Sequence, residues 1–279
     1  MQVDTTYSPA VTALVSHDSN PFELDKEEIP NYVQELGLTS ADIPELALLS
    51  RDNQFDKHED RPEFSAPLRA AYAIAQLVPE APQEALESLI SLYDLAEPWY
   101  AEDMAEIIAP TGPVAVDSLV AYLNNQTKPE IARMGVQHCL YMITQEFPET
   151  EERFRQELVA CLEKYEQNPP ALNGSLINDL IKLEAIETAT LMESAYRAER
   201  VDMMMSGPWA SVQVALGLKA ASDFTEEELQ VPLDAMPEPL QKLRATIMGL
   251  TLSKPKRPAP KGFGVGTPTK KSKKKSKKK

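Results

Sequence analysis

Along most of the chain apolar residues recur every three or four positions, the period of an amphipathic α-helix. Residues 82–96 put Leu86, Leu89, Ile90 and Tyr93 on one face, and residues 113–123 repeat the spacing with Val116, Leu119, Val120 and Leu123. In residues 150–166, Phe154, Leu158, Cys161, Leu162 and Tyr165 form a third stripe, with Glu and Arg on the far side. Prolines, glycines and short polar breaks separate these segments. The helices therefore pair off as 66–78 with 82–96, 98–109 with 113–123, 129–146 with 150–166, and 172–183 with 185–200. Residues 129–146 are apolar nearly all round (Ile131, Met134, Val136, Leu140, Ile143), as suits a helix buried between neighbours. No alternating β-branched run exceeds about four residues, and Asn173-Gly174 lacks alternating flanks, so strands are not expected.

Two-helix units that start roughly 30 to 40 residues apart are the pattern of stacked helical hairpins, each burying its apolar face on the next. The predicted fold is all-α, an α-solenoid of degenerate hairpins. Ahead of the array, Asp25 is placed to cap a short helix with Ile29, Val33 and Leu36 that ends at Gly37, with Pro30 in its first turn. Thr39 then caps a second helix through Leu49. Beyond the array, a short helix over Trp209–Leu216 and an amphipathic one over Pro239–Leu250 would close the open end. The expected divisions are a flexible N-terminal extension (1–23), capping helices (24–64), the repeat array (65–220), a C-terminal capping region (221–253) and a disordered polybasic tail (254–279).

Charge sharpens this division. Of the 28 Lys and Arg residues, twelve lie in 254–279, where there is no acid; the remaining 16 face 43 acids, so the body carries −27 and the tail +12. An acidic body repels nucleic acid and anionic lipid, so contact with either would run through the tail. With two cysteines, Cys139 and Cys161, and no basic-then-apolar opening segment, a reducing, cytoplasmic location is expected. No uninterrupted apolar stretch approaches the ~20 residues of a membrane span.

The unit TGPVAVDSLVAYL (111–123) resembles the hairpin of bacterial HEAT-like repeats, the class that includes phycobilisome-lyase-type repeats. The segment 176–202 with GPWASVQVALGL (207–218) is similar to the closing repeat of a bacterial HEAT-like family of unassigned function. The resemblance spans roughly residues 60–220. It implies a scaffold or assembly role and supplies no catalytic residue. Some relatives end in a Cys-rich zinc motif, which this chain lacks, having no cysteine after Cys161.

Candidate chemistry is sparse. The tail ends in Lys270, Lys271, Lys273, Lys274, Lys275, Lys277, Lys278 and Lys279, a run that can neutralise phosphates and give weak, salt-sensitive affinity for RNA, DNA or the ribosome, or can act only as a solvated extension. The glycines of residues 261–271 do not form a nucleotide loop, which needs a strand before and a helix after. Phe263 there could stack on a base. Histidine occurs only at positions 17, 58 and 138, and no spacing suits a tetrahedral metal site, so neither metal nor cofactor is expected. Cys139 and Cys161 read as small core residues. Carboxylate clusters such as Glu102, Asp103 and Glu106, or Glu226–Glu228, read as solvated helix faces that can meet a basic protein. Met203, Met204 and Met205 beside Trp209 offer an adaptable protein-binding surface or a plug for the end of the array.

The expected function is a non-enzymatic scaffold or adaptor that binds protein through its helical surface, with the tail adding electrostatic affinity. The alternatives are an RNA- or ribosome-associated factor acting mainly through the tail and, by analogy of fold alone, a lyase-like or chaperone role on a chromophore protein.

Overall fold

Prolines punctuate the chain, and in a computed structural model that describes residues 7–52, 54–55, 62–95 and 98–247 many of them stand in first helical turns. Pro9, Pro44, Pro67, Pro82, Pro98 and Pro170 each fall there, where the missing N–H costs no intrahelical bond. Among the described residues the chain is all-helical, without a strand.

The chain divides into two compact units, Met1–Ala235 and Met236–Lys279. The first holds α1 (Pro9–Val15), α2 (Tyr32–Leu36), α3 (Ile43–Leu49), α4 (Ala66–Gln76), α5 (Pro82–Ile90), α6 (Pro98–Ile108) and α7 (Val116–Leu123). It continues with α8 (Glu130–Glu146), α9 (Glu151–Leu162), α10 (Pro170–Lys182), α11 (Ala189–Arg197), α12 (Met203–Ser206) and α13 (Trp209–Ala215). Helix α4 packs on α6, α6 on α8, α8 on α10 and α10 on α12, while α5 packs on α7. One apolar core runs through these contacts from Val11 and Leu14 of α1 to Val212 of α13. The second unit contains α14 (Glu238–Ile247), where Lys242 pairs with Glu238 at 2.7 Å one turn earlier.

Three local features depart from the pattern expected of the sequence. Residues 7–23 are not a loose extension: Ser8 caps α1, and Val11 and Leu14 are fully buried. Arg69 of α4, itself fully buried, holds that segment, its guanidinium donating to the carbonyls of Leu14 (3.0 Å), Val15 (2.8 Å) and Ser19 (2.6 Å). The first two close the end of α1, where a cation also suits the helix dipole, and the third ties down the loop after it. Second, the expected helix from Asp25 to Gly37 is split. Asp25 caps only a 3-10 turn, Lys26–Glu28; Ile29 is extended, as a residue before proline tends to be, and α2 restarts after Asn31. Gly37 ends α2 in the left-handed conformation at φ 68°.

Third, α8 is less uniformly apolar than its composition. Ile131 is half exposed, whereas Arg133, Gln137 and Thr144 are buried. Arg133 Nε donates to the Leu123 carbonyl that ends α7 (2.7 Å), and its Nη2 to Asn168 Oδ1 (3.2 Å). Asn168 Nδ2 donates to the carbonyl of Cys161 (2.8 Å), and Asn173 Nδ2 to those of Tyr165 and Arg200. A connected polar network thus closes the ends of α7, α9 and α11 inside an apolar core, as buried polar groups require.

The stretch Asp103–Leu123 has the length and composition of a membrane span, but Gly112 at φ 75°, ψ −153° breaks it into two helices and half of it is buried. Phe147 fills the space above that break: a Cβ on Gly112 would lie 2.9 Å from the ring.

Candidate functional site

A groove of about 550 Å³ opens in the first unit. One wall is α4 with Tyr72 and Ala75, followed by Val78 and Pro79 of the next turn and Pro82 at the start of α5. The opposite wall is the end of α6, with Glu106 and Ile107, and the 3-10 turns after it, with Pro110, Thr111 and Val114. Lys26 and Ile29 complete the lining from the segment before α2. The kink at Gly112 sets this second wall, because it turns the chain away after α6 and presents Val114 half exposed.

The polar groups of the groove differ in their freedom. Gln76 is tied, donating to the carbonyl of Pro30 (2.8 Å) and accepting from Val33 N–H, and the Thr111 hydroxyl donates to Ile108. Tyr72, Glu106 and Lys26 have no hydrogen-bond or ion-pair partner for their side chains among the described residues. Burial, and then the carboxylates of Glu106 and Asp103, push the Tyr72 phenol up to about 12, so at neutral pH it stands as a neutral donor. The groove is an apolar trough whose lining also holds a neighbouring phenol and carboxylate and an ammonium.

The methionine run and Trp209 lie at the two ends of one turn. Asp202 caps α12, and Tyr196 pins the turn with its hydroxyl 2.6 Å from the Gly207 carbonyl and 2.7 Å from Ser206 Oγ. Trp209 packs against Tyr196, ring centroids 5.5 Å apart, partly buried on the core, while Met204 and Met205 remain exposed. Met205 also covers Gly174 of α10, where an added Cβ would lie 2.8 Å from its own. The four residues are therefore divided, with Trp209 packed inward and two methionines facing out. The eight tail lysines from Lys270 to Lys279, and Phe263, lie outside the described residues.

Glu35, His17 and Ser19 stand in the order of an acid, a base and a nucleophile: His17 Nε2 is 3.4 Å from Glu35 Oε2, and Nδ1 is 2.8 Å from Ser19 Oγ. Two contacts argue against reactivity. The Ser19 oxygen is shared with the buried Tyr32 hydroxyl at 2.9 Å, and the Ser19 N–H is spent on the same ring nitrogen at 3.2 Å instead of facing a reacting oxygen. The arrangement is a turn lock below α1. The thiols are equally unreactive: burial pushes Cys139 up to about 12 and raises Cys161, and both are enclosed in the core. Among the described residues no cluster of three His, Cys, Asp or Glu could hold a metal ion.

Of the groove residues, Glu106 reads from sequence as part of a solvated carboxylate cluster and Tyr72 as part of an amphipathic helix. No local signal joins them to Lys26, because three separate segments meet there.

No protein-family model, curated protein or solved structure matches the chain.

Proposed function

We propose that this chain is a non-enzymatic scaffold or adaptor, an α-solenoid of HEAT-like hairpins that binds protein through its helical surface while its basic tail adds electrostatic affinity. The observation that carries the reading is the serial packing of α4, α6, α8 and α10, each on the next, with one core threaded through them and the short α12 laid against α10. Such a stack presents repeated helix surfaces along its length, which suits holding another macromolecule. Its polar interior supports the same view. Arg69, Arg133 and Asn173 each donate to carbonyls at or just beyond helix ends, which makes them structural groups. A cytoplasmic location fits the two unpaired, buried thiols.

The competing reading, an RNA- or ribosome-associated factor, rests on the twelve bases and no acids of residues 254–279. Affinity capture from cell extract separates the two, using the full chain beside a variant with the eight lysines from Lys270 to Lys279 replaced by glutamine. The scaffold reading expects the same protein partners from both chains and little change at high salt. Capture of RNA alone, lost in the variant, would overturn it in favour of the tail.

A further inference from the structure

The groove between α4 and the end of α6 has chemistry more specific than a generic apolar trough. Pro79, Pro82 and Pro110 line it and offer no backbone N–H, so an occupant gains little from strand-like main-chain pairing and must be recognised by side chains. Ile107 and Val114 supply apolar wall. At one place the neutral phenol of Tyr72 and the carboxylate of Glu106 stand together, with no hydrogen-bond or ion-pair partner among the described residues, inside a body that carries −27. An arginine meets all of these demands. Its stem packs on apolar wall, its guanidinium can lie over an aromatic face, and its fork pairs with a carboxylate.

Resting on the protein-binding reading above, we infer that this groove is the docking site for an extended peptide segment of a partner, anchored by an arginine at Tyr72 and Glu106 and flanked by proline or aliphatic residues. The acidic body draws such a segment in, and the groove selects it. A volume of about 550 Å³ holds a few residues, so the contact is one anchor within a larger interface.

The test is fluorescence anisotropy on the full chain with a dye-labelled, capped heptapeptide, Ala-Pro-Leu-Arg-Pro-Val-Ala, at physiological salt. Binding is expected to weaken about tenfold in Glu106→Lys and in Val114→Arg, both at exposed positions where the fold tolerates change. The same charge reversal at Glu166, exposed and outside the groove, should leave it within about twofold. The inference is overturned if the peptide fails to bind at millimolar concentration, if Glu166→Lys weakens it as much as Glu106→Lys, if a glutamate version of the peptide binds equally, or if arginine amide alone binds as tightly. Affinity capture with Glu106→Lys separates this inference from the broader one. Partners retained by that variant would sink the groove and leave the scaffold standing, whereas a wild-type chain that captures no protein would sink both.

Discussion

Arg69 and Leu14 are fifty-five residues apart, yet the buried guanidinium donates to the Leu14 carbonyl at 3.0 Å and, with the same fork, to Val15 and Ser19. One side chain thereby converts the N-terminal segment into part of the core. Arg69→Met keeps the stem and strands the carbonyls of Val15 and Ser19, while that of Leu14 keeps the His17 N–H; each stranded acceptor costs roughly 1–3 kcal/mol when buried without a partner. The expected outcome is a loss of at least about 2 kcal/mol in urea unfolding, with early proteolysis near residues 16–25. Arg69→Lys should recover little, since one ammonium cannot span the fork.

Gly112 offers an independent check on the joint between α6 and α7. Its φ of 75° with ψ of −153° is a conformation open mainly to glycine, and Phe147 occupies the space a Cβ would need. Gly112→Ala should cost more than the roughly 1–3 kcal/mol of the backbone alone. In a double-mutant cycle with Phe147→Leu, the steric part should be relieved and the backbone part retained. Strict additivity would show that the ring does not constrain the joint.

Tyr72 and Tyr196 are both pushed up to about 12, mainly by burial, and burial also raises Tyr7, Tyr32, Tyr93 and Tyr122. A raised phenol stays neutral in the folded chain while its unfolded counterpart ionises near 10, so the unfolded state sheds more protons. Stability is therefore fully present below pH about 10 and falls as pH rises through 10 towards 12. A phenolate absorbance titration should show these six of the nine tyrosines ionising together with loss of the helical circular dichroism signal. Smooth titration near pH 10 in a chain that remains helical would contradict their burial.

Gly174 reports on the closing helices. A Cβ there would lie 2.6 Å from the Asp202 carbonyl oxygen and 2.8 Å from Met205 Cβ, so Gly174→Val must push α12 off α10. With Trp99→Phe as background, Trp209 is the sole tryptophan. Its emission should shift to the red in Gly174→Val, since the ring loses its packing near Tyr196. An unchanged spectrum would mean that α12 and α13 dock independently of α10.

The apolar stripes made most of the helices legible. Leu86, Leu89 and Ile90 mark α5, and Phe154, Leu158 and Cys161 mark α9, all buried at the spacing the sequence displays. Helix α1 escaped because its stripe, Val11, Leu14 and Val15, spans barely one turn, too short to set a period. Arg69, Arg133 and Asn173 escaped for a different reason: polar side chains read as surface, and only the fold shows that helix-end carbonyls need them inside. The Asn173-Gly174 pair shows this well. Its amide closes two carbonyls and its glycine admits α12, neither of which is a local property. The groove was hidden likewise, since Lys26, Tyr72 and Glu106 meet only when three segments pack.

Whether the helical surface or the tail selects a protein partner is decided by cross-linking mass spectrometry on the full chain bound to a captured partner. Cross-links are expected from lysines of the folded unit, Lys26, Lys128, Lys164 or Lys182, and should persist when Lys270 and the seven other terminal lysines are replaced by glutamine. Cross-links confined to residues 254–279, lost together with the partner in that variant, would contradict it.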